Sequence, residues 1–267
     1  MPDDQFLAYL TTVGVGDVVS GTVADARRSG VSVSLDGCPG EPAGSIGALD
    51  LSWQFDRPSS EPVLRRGDRV RAEVVAVDAE RRRIWLSRAA TEHPQLWAFL
   101  KALRPGQRLS GTVAAIENFG VFVDLDDGPA HPTFPGVGFI TIPELAWHRF
   151  DDAAGIVSVG EHITCTVLSF DTSNGEARLS LRATRPDPFL AFARDVRVGQ
   201  VLPGRVTKLV PFGVFVQVRD GIEGLIHLRD LAGTPYSAVH AGDRITVIVT
   251  EIALPGRRLV LAPQGCG

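Results

Sequence analysis

Residues 204–228 read GRVTKLVPFGVFVQVRDGIEGLIHL, and the fold turns on this stretch. Val214 and Val216 alternate with Phe215 and Gln217, the two-residue period of a strand with one buried face. Gly213 opens that strand, an Arg219-Asp220-Gly221 turn closes it, and Gly224-Leu225-Ile226-His227 begins the return. Working outward, the same unit occurs three times. DQFLAYLTTVGVGDVVSGTV from Asp4, PQLWAFLKALRPGQRLSGTV from Pro94 and DPFLAFARDVRVGQVLPGRV from Asp187 align without a gap, at offsets of 90 and 93 residues. In each copy a Gly-x-Val glycine is followed nine residues later by another: Gly21 and Gly30, Gly111 and Gly120, Gly204 and Gly213. The second halves also match, as RRGDRVRAEVVAVD from Arg65, SVGEHITCTVLSFD from Ser158 and HAGDRITVIVTEIA from His240. Register held over that distance marks an internal repeat of about 90 residues.

Every copy opens on a short amphipathic helix, with aromatics three apart (Phe6 and Tyr9, Phe189 and Phe192) that form one docking face. Short alternating strands follow, such as Val31–Leu35 and Val121–Leu125, and the last two are joined by a charged turn. Five strands in about 70 residues are too few and too short for an open sandwich. Closure into a small barrel removes the exposed edges, and the five-stranded Greek-key OB barrel fits. The expected architecture is all-β: three tandem five-stranded barrels, strung as separate beads on short connecting helices. The boundaries read 1–14 for a lead-in helix, 15–90 for the first repeat and 91–103 for a linker helix. The second repeat is 104–184, a second linker helix 185–195, and the third repeat 196–264.

Bulk properties exclude several classes. With 44% hydrophobic and 22% charged residues the chain is a folded protein, not a disordered one. Its longest apolar runs are far short of the ~20 residues that span a bilayer, and the Met-Pro-Asp-Asp start carries no secretory pattern. Cys38, Cys165 and Cys266 are widely spaced, without metal-ligand or disulfide patterning, so a reduced, cytoplasmic setting is expected. The scattered histidines His93, His131, His148, His162 and His240 have no ligand spacing. No metal, cofactor or catalytic set is expected, and no phosphate loop or Ser/His/Asp arrangement stands outside the repeats.

The third repeat carries the candidate chemistry. If Val214 and Val216 face the core, Phe212 and Phe215 lie on the outer face around Gly213, near His227. Two rings and an imidazole make a platform for unpaired bases. Lys208, Arg205 and Arg258, on neighbouring strands, are placed to hold phosphates. The alternative is that both rings fill the core; valines already at the alternating positions favour the outward reading. Charge agrees: residues 196–262 carry 8 basic and 5 acidic residues, residues 104–185 carry 6 and 10, and residues 15–90 carry 11 and 11.

The stretch GRVTKLVPFGVFVQVRDGIEGLIHL, together with ENFGVFVDL from Glu117, PELAW from Pro143 and LSLRATRPDPFLAFAR from Leu179, resembles the S1-type RNA-binding domain family, in particular the closing repeats of its bacterial ribosomal members. The resemblance covers nearly the whole chain. It implies an OB-fold per repeat and single-stranded RNA (mRNA) as ligand, with the ribosome or ribosomal proteins as further partners and a monomeric state. The family's contact positions match Phe212, Phe215, His227 and Arg258 in the third repeat, with Ala253 where the family has Asp. The second repeat keeps Phe119, Phe122 and Asp171 but has Thr141 and Glu176 at the His and Arg positions. It also carries a Pro-rich insertion, Asp126 to Val137, beside the platform. The first repeat has Ser29, Ser32 and Gly47 in place of the rings and the His, retains Asp78 and Arg83, and has an insertion from Gly37 to Ala43. Weak or no RNA binding is expected of that face. Trp53 and Trp147 read as packing residues at matching positions. The inserted loops either contact a partner or are tolerated surface additions. Two functions remain open: a non-catalytic RNA-binding protein of translation, or a ribosome-docking interaction module in which RNA contact is secondary.

Overall fold

Alternating valines and close-packed glycines set the strands. In a computed structural model that describes residues 2–40, 42–54, 64–231 and 239–264, helix α1 (Pro2–Leu10) precedes β1 (Val18–Arg27), β2 (Gly30–Leu35), β3 (Gly44–Gly47), β4 (Arg69–Asp78) and β5 (Arg83–Ser87). Helices α2 (Ala89–Glu92) and α3 (Pro94–Ala102) lead to β6 (Arg108–Glu117), β7 (Gly120–Leu125), β8 (Gly138–Thr141), β9 (His162–Asp171) and β10 (Glu176–Ser180). Helix α4 (Pro188–Asp195) leads to β11 (Val201–Val210), β12 (Gly213–Arg219) and β13 (Ile222–His227). The short α5 (Leu228–Leu231) follows, then β14 (Arg244–Ala253) and β15 (Arg258–Pro263). Cys266 lies outside the described residues.

Each group of five strands closes on itself. In the first the ring runs β1-β2-β3-β5-β4 and returns to β1 through the pairing of Val18–Thr22 with Glu73–Arg69. All pairs are antiparallel except β3–β5, β8–β10 and β13–β15, which are parallel. Val214 and Val216 enter the third core with Val247, Val249, Leu259 and Leu261, and Phe189 and Phe192 of α4 are buried in the same cluster. Asp187 caps α4, its carboxylate accepting from Phe189 N at 2.8 Å, and Pro188 fills a first-turn position that needs no N–H.

The repeated second glycine has one steric cause. A Cβ on Gly213 would collide with the carbonyl oxygen of Ile226 across β12–β13, and Gly30 and Gly120 meet Ile46 and Ile140 in the same way. A bulge in the first strand of each barrel, between Val206 and Lys208 in the third, lets the strand turn the corner of so small a ring.

By their contacts the described residues group the three barrels into two compact units. One holds the first two barrels, through Ile142 and again over Val157–Leu181; the other holds Pro143–Ile156 and the chain from Arg182 onward. In the first unit Trp53 is fully buried and donates its indole N–H to Thr172 O at 2.8 Å. It packs on Gly175, where a Cβ would sit 2.8 Å from the indole. That contact joins the first barrel to the β9–β10 turn of the second. In the other unit the guanidinium groups of Arg182 and Arg257 lie 4.4 and 4.7 Å from the Trp147 ring centroid. Both tryptophans therefore serve packing.

Candidate nucleic-acid interface

In the third barrel the register sets His227 opposite Gly213 and Phe215 opposite Leu225, with Lys208 level with Phe215 on the other side. Gly213 lets the two strands close up here, since a Cβ would collide with Ile226 O and meet the His227 Cα at 3.1 Å. Phe212 sits in the tight β11–β12 turn with 57% of its surface exposed, and its carbonyl accepts from Leu228 N at 2.9 Å, which pins the turn to β13. Phe215 and His227 are half-buried and Lys208 is exposed. The core reading of the two rings fails, because Val214 and Val216 occupy the interior.

The cations are spread more widely than the sequence implied. Arg258 stands on β15, beyond β13 from β12, and shares with His227 a groove of about 500 Å³. Its guanidinium pairs with Glu251, both side chains well exposed. Such a pair is worth only about 0–1 kcal/mol and can be exchanged for a phosphate. Arg205 lies level with Gln217, about 7 Å along the strand from Phe215. With Arg219 and Arg244 it lines a separate groove of about 540 Å³. Both Arg205 and Lys208 are exposed because the bulge between Val206 and Lys208 resets the strand's alternation.

The second barrel corrects one expectation. Phe119 is 57% exposed, but Phe122 is only 5% exposed. The insertion expected to flank the platform instead covers it. Phe134 stacks on Phe122 with centroids 5.1 Å apart, Phe139 packs at 5.0 Å, and His131 stacks on Phe134 at 4.6 Å. His131 is held from both ring nitrogens: Nδ1 accepts from Thr133 N and Phe134 N (3.1 and 2.8 Å), and Nε2 bonds to Asn174 O at 2.8 Å. Burial, aided by neighbouring His93 and opposed by the Asn174 bond, holds its pKa below the ordinary histidine value. Thr133 Oγ1 donates to Trp53 O at 2.8 Å and ties the insertion to the first barrel.

Asp171 is likewise engaged. Burial by itself would raise its pKa, but bonds from Arg178 (2.7 Å) and from Ser173 N (2.9 Å) outweigh burial and keep it low. Arg178 also lies over the Phe139 ring at 5.1 Å. Glu176, at the family's Arg position, faces Asp171 across the β9–β10 turn, and burial raises its pKa. Phe119 is thus the one ring of this barrel's predicted pair that is open.

In the first barrel Ser32 lies opposite Ser45 and Gly30 opposite Gly47, so no ring stands on β2. Asp78 pairs with Arg83 in register, as Ala253 does with Arg258. Sequence reasoning passed over Phe134, Phe139 and Trp85. Phe139 was detectable as an alternating position in Gly138–Thr141, whereas nothing local signals where Phe134 docks. Among the described residues no cluster of three potential metal ligands occurs, and no helix is long and apolar enough to cross a membrane.

Closed five-stranded barrels with parallel β3–β5-type closure, the third displaying aromatics beside its second strand, define a tandem OB-barrel protein. More particularly, the chain belongs to the S1 RNA binding domain family, whose model matches residues 12–89, 102–182 and 195–262. Similar curated proteins are the small ribosomal subunit protein bS1 of Mycobacterium tuberculosis strain H37Rv, 38% identical over 80% of this chain and 46% of that protein, and its Mycolicibacterium smegmatis counterpart, 37% identical over the same shares. The Pseudomonas aeruginosa bS1 is 29% identical over 98% of this chain and 46% of its own length. The chain spans about half the length of these curated relatives.

Proposed function

We propose that this protein is a non-catalytic binder of single-stranded RNA that acts on mRNA in translation, in the cytoplasm, chiefly through its third barrel. One observation carries the reading: the Phe212 ring stands open beside half-buried Phe215 and His227, with Lys208 exposed one strand away. Each base stacked on such a ring contributes about 1–3 kcal/mol with little sequence preference, and the surrounding cations make binding salt-dependent. The third barrel is also the one with excess positive charge, and relatives named as ribosomal proteins support the link to translation.

The test is binding of an unstructured oligouridine at two salt concentrations. The double variant Phe212→Ala, Phe215→Ala is expected to bind at least tenfold more weakly. Affinity equal to that of the parent protein would refute the assignment.

A second reading has its own observation. The covered Phe122 and the acidic second repeat suit protein docking, with the ribosome or a ribosomal protein as partner and RNA contact secondary. Co-sedimentation of the same double variant with ribosomes after ribonuclease trimming, undiminished from the parent protein, would favour docking.

A further inference from the structure

At the level of the platform one row of outward positions runs across all five strands of each barrel. In the third it reads Lys208, Phe215, Leu225, Val260, Glu251. In the second it reads Ala115, Phe122, Phe139, Arg178, Ser169. In the first it reads Asp25, Ser32, Ser45, Trp85, Ala76. The first barrel lacks the ring on its second strand, yet its row still contains one aromatic, moved to the fifth strand.

The placement of Trp85 points away from packing. Ile84 and Leu86 on either side are buried in the core, which forces the indole outward, where 39% of its surface is exposed. The corresponding residues of the other barrels are an arginine and a valine, so barrel closure does not demand an indole there. Its cross-strand neighbours, Ser45 and Ala76, are small and leave the ring uncovered, in contrast to Phe122 beneath Phe134. The guanidinium of Arg83, two residues back on the same face, lies 5.5 Å from the ring centroid. An accessible indole with an adjacent cation and serine hydroxyls within the same row matches the chemistry of an unpaired nucleobase and its phosphate.

We propose that Trp85 is a base-stacking site of the first barrel: the platform has shifted from the second strand to the fifth, with Arg83 as the phosphate partner and Ser32 and Ser45 facing the base edge. The proposal rests on the single-stranded RNA reading and reverses the expectation that this face is inert.

The experiment uses the full chain labelled with 5-fluorotryptophan, its four tryptophan signals assigned through Trp85→Phe. It is titrated with an oligouridine of about 20 nucleotides, long enough for more than one barrel. The Trp85 signal is expected to move in the parent protein and in the Phe212→Ala, Phe215→Ala variant. Trp85→Ala should weaken binding about 5- to 150-fold, and Trp85→Phe should restore most of it. A Trp85 signal that stays still while the oligonucleotide saturates a parent chain sensitive to the Phe212 and Phe215 changes would overturn this site and leave the RNA reading intact. Loss of affinity in Trp85→Ala with none in the double variant would uphold this site and overturn the third-barrel assignment. No binding by the parent chain would overturn both.

Discussion

His131 shows how a single side chain can close a surface. Both backbone N–H groups that reach its Nδ1 require a lone pair there, so the ring must carry its proton on Nε2, toward Asn174 O. Protonation of Nδ1 would break both bonds and place a charge beside His93, with Trp53 and Phe134 packed on the ring. Because the folded pKa lies below the unfolded value, the neutral ring's stabilisation is complete above about pH 6.5. It is lost as the pH falls through that value toward the folded pKa. Thermal unfolding followed from pH 7.5 to 5 should show a falling midpoint, and His131→Gln should flatten the slope. An unchanged slope in the variant would mean that another group dominates acid sensitivity. Phe212, by contrast, is 57% exposed in a turn held by the Leu228 N–H on its carbonyl and by the Val210–Gly213 pairing.

Among the elements, β12 and its counterparts were the most legible. The nine-residue glycine interval located them, and the alternating valines told which face is buried. Gly213→Ala would push a methyl group into Ile226 O and spread β12 from β13. A loss of about 1–3 kcal/mol in urea unfolding is expected, with weaker RNA binding as the Phe212 turn shifts. Retention of parental stability would show that the pair can relax. The bulge in β11 was less legible, because a two-residue period cannot reveal where one residue is extra. It alone lets Arg205 and Lys208, three residues apart, both face solvent. The course of the Asp126 to Val137 insertion was not legible at all: its prolines mark a loop, but only its docking on Phe122 decides what it covers.

For the molecule as a whole, the Trp53 indole is one of the contacts that tie the first barrel to the second within one unit. Trp53→Ala would remove a fully buried ring and the bond to Thr172 O, at a cost of about 3–5 kcal/mol. Hydrogen exchange should then show earlier opening of β10, since Trp53 contacts the turn that leads into it. Unaltered protection in β10 would mean that the two barrels are stabilised separately. The first two barrels share a unit in which Phe122 is covered, whereas the third barrel keeps the Phe212 ring open and carries surplus positive charge.

The chain of residues by itself determined the number of barrels, their valine cores and the pair of phenylalanines in the third, because those depend on local period and on glycines that no other residue can replace. Only the folded chain decided which rings stay open: Phe122 is roofed by Phe134 of the inserted loop, and Trp85 is brought into the platform row by the parallel β3–β5 pairing. Exposure is a property of everything packed around a side chain, and such non-local contacts leave no period in the sequence.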